Sequence, residues 1–144
     1  MAILGGGRAA WAYGSAWRRI GWPIAGVWLR DASRSHIVEL LATERRGIGD
    51  LAGDADLLLI AVSDRAVEEV AALIPAEGSF TIFHASGALN SLRGGFSLHP
   101  LKALPPVGVA SDLLDTLLVF EGAHREQAFR ITDAVGARFA EVDR

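Results

Sequence analysis

Three consecutive glycines stand between a short apolar run and a helix-like segment at the start of the chain, "AILGGGRAAWAYG" from Ala2 to Gly14. No other feature restricts the fold as strongly. Glycines directly after a strand are useful where the backbone must turn sharply and another group must come close. Gly5-x-Gly7-x-x-Ala10 fits the G-x-G-x-x-G/A spacing of a strand-to-helix turn that binds a dinucleotide. In such a turn Gly5 bends the chain and Gly7 lets a diphosphate approach the backbone. Ala10 lets the helix lie close to the strand, and Gly14 continues the small-residue stripe. The free N–H groups and partial positive charge of the helix N-terminus face the phosphates. The candidate contacts here are Gly5, Gly6, Gly7, Arg8, Ala9 and Ala10.

Apolar runs then alternate with segments of helical period. Strands are predicted at Met1–Leu4, Pro23–Leu29, Asp56–Val62 and Ser79–Ala85, with weaker ones at Leu117–Phe120 and Arg138–Val142. Helices are predicted over Arg8–Ile20, Ser33–Arg46, Asp64–Ile74 and His124–Val135. "DLLLIAV" is continuously apolar, as a strand buried on both faces is. Glycines 87, 94 and 95 and prolines 100, 105 and 106 make Ser86–Asp115 read as loop. The expectation is an α/β, three-layer Rossmann-type fold with a mostly parallel sheet, residues 1–144 forming one dinucleotide-binding domain.

Composition narrows the partners. Fourteen basic and 17 acidic residues give a net charge of −3 with no basic stripe, which argues against nucleic acid. The absence of cysteine removes disulfides, thiolate catalysis and cysteine metal sites. "LLLIAV" is too short to cross a bilayer, and the N-terminus lacks the layout of a signal peptide. A soluble, cytoplasmic protein is expected.

The choice of dinucleotide rests on "GVWLRDASR" at the end of the second strand. If that strand ends at Leu29, Arg30, Ser33 and Arg34 form a group receptive to a 2′-phosphate. If it runs further, Asp31 becomes the acid that binds a ribose hydroxyl. Guanidinium geometry favours NADP, with NAD as the alternative.

"LGGGRAA", "GVWLRDASR", "ADLLLIAVSDRAVEEVA", "HASGAL" and "SLHPLKALP" occur in an order that resembles a set of Rossmann-like oxidoreductases. That set is related to the pyrroline-5-carboxylate reductase and 6-phosphogluconate dehydrogenase group. The resemblance covers roughly residues 3–143, and His-x-Ser-Gly and Ser-Leu-His-Pro are its more specific pieces. It implies a C-terminal helical domain that forms a homodimer and closes the pocket, and this chain ends at Arg144 where that domain would begin. It also implies that the backbone of "AVSD", with Val62, Ser63 and Asp64, passes beside the cofactor.

Ser63 or Asp64 is also expected to cap the helix that follows. His84, Ser86 and His99 are the catalytic candidates, at strand ends on the same sheet edge. A histidine can supply the proton that reduction of a carbonyl or imine needs. Ser86 can hold the substrate oxygen or the nicotinamide carboxamide, and Lys102 can pair with an anionic substrate. His84 and His99 lack a third ligand at matching spacing, so no metal is expected. Trp11, Tyr13 and Trp17 cannot all face one side of a helix; packing beneath a neighbour is favoured over an exposed aromatic interface. Two classes of function follow: an NADP-dependent oxidoreductase for a small carbonyl or imine compound, or a non-catalytic nucleotide-binding or interaction module.

Overall fold

The computed structural model describes residues 1–143 and has the expected three-layer α/β Rossmann-type architecture. In chain order the elements are β1 (Ala2–Leu4), α1 (Arg8–Ile20), β2 (Gly26–Trp28), α2 (His36–Leu40), α3 (Ile48–Asp54), β3 (Leu57–Ile60) and α4 (Asp64–Leu73). They continue with β4 (Thr81–His84), β5 (Phe96–Pro100), β6 (Leu117–Gly122), α5 (Arg125–Ala134) and β7 (Arg138–Glu141), and a short 3-10 turn occupies Ala32–Arg34. The seven strands form one sheet in the order β2-β1-β3-β4-β5-β6-β7, parallel except for the β5–β6 pair. The chain leaves β1 for β2 on one side and returns to β3 on the other. Their carboxyl ends therefore open a crevice at the point where the strand order reverses.

Strand alternation divides the core in two. Ile3, Leu59, Phe83, Phe96, Leu98 and Phe120 face α1 and α5, whereas Ala2, Leu4, Leu58, Ile60 and Ile82 face α3 and α4. On the first face Phe83 lies 4.9 Å from Phe96, 5.5 Å from Tyr13 and 6.3 Å from Trp17, ring centre to ring centre. The buried Tyr13 hydroxyl donates to the Leu98 carbonyl at 2.6 Å, tying α1 to β5, and burial holds its phenol well above the usual range. Tyr13 and Trp17 are fully buried and Trp11 partly so, its Nε1 donating to the Val109 carbonyl. Packing, rather than an exposed aromatic patch, accounts for these rings.

Three expectations about elements are corrected. Ser33–Arg46 is not one helix: after Leu41 the chain turns through Ala42 at φ 51°. Glu44 and Arg46 then exchange backbone hydrogen bonds with Val27. Satisfying the open edge of β2 wins over helix continuation, because only Ile37 and Leu41 in this stretch are buried. The short helix α3 lies in what reads as a loop. The segment Ser86–Asp115 contains β5, hidden by flanking Gly94, Gly95 and Pro100 and by its short length. Its alternation is legible: Phe96 and Leu98 face one side, Ser97 and His99 the other. No helix among the described residues is long and apolar enough to cross a membrane.

Because Phe83 is the hub of the aromatic cluster, Phe83→Ala should lower stability by about 3–5 kcal/mol. In urea unfolding the midpoint should fall while the slope stays constant; a loss below about 1 kcal/mol would show that the cluster does not hold the first face together.

Candidate dinucleotide-binding site

The β1–α1 turn is shaped by its neighbours. Gly5 has φ +131°, and a Cβ there would stand 2.2 Å from the Ala61 carbonyl oxygen. No side chain fits between the turn and the end of β3. A Cβ on Gly6 would meet Leu29 Cδ2 at 2.7 Å. Gly7 is different. Its φ is −96°, which any residue adopts, and a Cβ there would meet only Arg34 Nη1, at 3.7 Å. Gly7 is the N-cap of α1 and brings no side chain to cap it, and the first turn has no acidic residue. The first N–H groups of α1 lack intrahelical partners, and the space beside Gly7 is open.

That space is a cleft of about 460 Å³ at the carboxyl ends of β1, β2 and β3. Gly5, Gly6, Gly7, Arg8, Ala9, Arg30, Arg34, Val62 and Ser63 line it, all of them expected from the sequence. Leu29, Asp31, Ala61 and Ala66 complete the wall. Ala61 opens the "AVSD" stretch that the resemblance places beside the cofactor, and it lies on this wall. Three other candidates lie outside the lining. Ala10 is buried on the sheet-facing side of α1, Ser33 sits in the 3-10 turn, and Asp64 is exposed at the start of α4.

Charge in the cleft is unbalanced. Arg8 and Arg34 stand at the positive end of α1, where basic residues are unfavourable without a counter-charge. Arg8 donates to the Leu104 carbonyl at 3.2 Å. Arg30 pairs with Glu69 at 3.2 Å across the solvent. β2 ends at Trp28, and Leu29 is buried beside it. The Asp31 carboxylate caps the 3-10 turn, accepting from the Ser33 amide at 2.9 Å, and that bond holds its carboxyl below the usual range. At β3, Ser63 takes the N-cap position of α4, but its hydroxyl makes no capping bond, nor does a side chain of Asp64 stand in for it. The capping expectation is corrected, and the Ser63 side chain lies exposed on the cleft wall.

A second polar group gathers farther along the same edge. His84 pairs in register with Ser97, and His99 follows two residues later on β5. The His84 ring is buried. Its Nδ1 accepts from the Ser86 amide at 3.2 Å, so Nε2 carries the proton and donates to the Asn90 carbonyl at 2.9 Å. The Ser86 hydroxyl accepts from the Ala88 amide at 3.1 Å. His99 is only partly buried; its Nδ1 donates to the Ala85 carbonyl at 2.9 Å. Nε2 of that ring is left beside Gly87, where a Cβ would approach it to 2.7 Å. The three catalytic candidates thus form one cluster, separate from the glycine cleft. Lys102 is not part of the glycine-cleft lining, and its Nζ donates to the Asp112 carbonyl at 2.6 Å. Among the described residues no group of three or more side chains is placed to hold a metal ion.

No protein-family model and no curated protein matches the chain. Solved structures do. A Bacteroides fragilis protein provisionally assigned as an NADP oxidoreductase superposes with a TM-score of 0.80 at 16% identity, over 99% of this chain and 60% of its own. Prephenate dehydrogenase of Aquifex aeolicus gives 0.79 at 13% identity, over 99% and 61%. A reductive aminase of Aspergillus terreus, solved with NADPH, cyclohexanone and allyl amine, gives 0.74 at 18%, over 99% and 54%. The chain spans about 60% of the length of the first two and about half of the third. At these identities the likeness establishes the fold.

Gly5 and Gly7 should separate folding from binding. Gly5→Ala should cost about 3 kcal/mol through the Ala61 overlap and the left-handed φ. Gly7→Ala should stay within about 0.5 kcal/mol of the parent. Chemical denaturation checks both, and equal stability of the two variants would refute the packing argument.

Proposed function

We propose that this chain is the dinucleotide-binding domain of an NADP-selective oxidoreductase that reduces a carbonyl or imine group of a small molecule. One observation carries the reading: Gly7 has ordinary backbone angles and open space where its Cβ would be, at an uncapped helix start flanked by Arg8 and Arg34. Packing within the chain does not account for that combination, whereas a diphosphate does. The residues present fit such a ligand. The amides at the start of α1 would hold the diphosphate, and the wall from Leu29 to Arg34 would take the adenosine end. NADP is favoured over NAD because Leu29 fills the place where an acid would bind the ribose, and Asp31 is committed to its own turn.

When bound, the nicotinamide supplies or accepts a hydride. Ala61, Val62 and Ser63 are the wall along which that end of the ligand would run towards β4. Of the three catalytic candidates, His99 is the one whose Nε2 can exchange a proton with a substrate heteroatom, since Ala85 fixes its Nδ1–H. Ser86 shapes the turn beside it. The quoted motifs support kinship with the pyrroline-5-carboxylate reductase and 6-phosphogluconate dehydrogenase group. They support with it a cytoplasmic homodimer whose pocket a helical domain closes. A non-catalytic nucleotide-binding module is the second reading. It is favoured by the engagement of both His84 ring nitrogens and the Ser86 hydroxyl within the chain itself.

Calorimetric titration tests the proposal. NADPH should bind more tightly than NADH, and Gly7→Val should abolish both while leaving the melting curve unchanged. Normal binding by that variant would move the phosphate site elsewhere, and no binding by the folded parent would remove the coenzyme reading. If the chain turns over a ketone or imine, His99→Ala should slow it about 100-fold or more with coenzyme affinity kept.

A further inference from the structure

We infer that the two arginines after β2 serve different parts of the ligand: Arg34 clamps the diphosphate at the glycine turn, and Arg30 reads the 2′-phosphate. The inference rests on the dinucleotide reading above and divides what the sequence presents as one phosphate-receptive group.

The placement of Arg34 carries the argument. Its Cβ and Cδ would lie 3.2 and 3.6 Å from a Cβ built on Gly6, and its Nη1 3.7 Å from one built on Gly7. The side chain therefore runs along the glycine turn, and its guanidinium ends beside Gly7 at the start of α1. Among the described residues it forms no ion pair within 4 Å and no side-chain hydrogen bond, and its charge stands near enough to the Asp31 carboxylate to favour that group's ionised form. The position is set from below. Arg34 closes the 3-10 turn Ala32–Arg34, whose N-cap Asp31 accepts from the Ser33 amide. Asp31 thus acts as a positioning residue for Arg34. A planar, always-charged fork beside an uncapped helix start suits a diphosphate, which the fork and the free backbone N–H groups can bind together.

Arg30 stands elsewhere on the cleft wall. No described atom of it lies within 4 Å of the Cβ position of Gly7, where Arg34 Nη1 stands instead. Its guanidinium reaches outward to Glu69 on α4, an exposed pair that a phosphate can displace at little cost. It follows directly on the buried Leu29 at the end of β2, where the ribose 2′-position is read in folds of this type. Four residues on, the chain has turned through the 3-10 segment, and Arg34 has come back to the glycines. Equal service of one phosphate by both side chains does not fit these two stations.

Calorimetry with NADPH, NADH and ADP on the parent chain, Arg30→Ala and Arg34→Ala separates the roles. Arg34→Ala should weaken all three ligands alike, by roughly 10- to 100-fold, and keep the NADPH:NADH preference. Arg30→Ala should bring that preference close to one and leave NADH and ADP unchanged. Loss of NADPH affinity alone in Arg34→Ala would overturn the division by placing Arg34 on the 2′-phosphate. So would an Arg34→Ala variant that binds every ligand like the parent. Failure of the folded parent to bind any of the three would overturn the dinucleotide reading itself, a distinct result. Asp31→Ala should reproduce the Arg34→Ala pattern in weaker form; a selective effect on NADPH would show Asp31 acting at the ribose instead. Both arginines are exposed, so thermal melting should confirm that each variant stays folded.

Discussion

The architecture turns on one close approach, the backbone of Gly5 lying against the carbonyl of Ala61 with no room for a Cβ between them. That contact draws the β1–α1 turn onto the end of β3 and fixes how far the start of α1 projects over the sheet. The remaining pieces follow from it. Leu29 closes against Gly6 from the β2 side, and the two apolar layers lock the strands beneath. The N-terminus of α1 is left uncapped above a 460 Å³ cleft. A helix start normally finds an acidic or hydroxylic partner; here it finds two arginines. The fold holds a local concentration of positive charge that an anion relieves.

The polar cluster beyond that cleft is organised differently. His84 works inward: it accepts from Ser86, donates to Asn90, and so pins the loop after β4 over the sheet. His99 works outward, one ring nitrogen anchored to Ala85 and the other beside Gly87. Two histidines that look equivalent in sequence thus have opposite hydrogen-bonding roles. The difference follows their burial, because the His84 ring lies beneath the loop after β4 whereas His99 is only partly buried.

Much of this is legible in the amino-acid sequence. The glycine spacing, the continuous apolar run of β3 and the helical period of α1 and α4 each have a local physical cause, and the fold followed from their order. The nine candidate residues that line the cleft are adjacent to those signals. What stayed hidden depends on contacts distant in sequence. Arg34 was assigned to the first turn of a long helix, and only the pairing of Glu44 and Arg46 with Val27 shows why that helix breaks. β5 was masked by glycine and proline at its ends, although its alternation was present. The Ser63 hydroxyl is a milder case, since a capping residue type need not make a capping bond.

The central claim is that the amides beside Gly7 receive the phosphates of a dinucleotide. Amide chemical-shift mapping of the isotope-labelled chain during titration with NADPH addresses it residue by residue. The account predicts that the largest shifts fall on Gly6, Gly7, Arg8 and Ala9, with smaller ones at Val62 and Ser63. Saturable shifts confined to other surfaces, with those four amides unmoved, would contradict it.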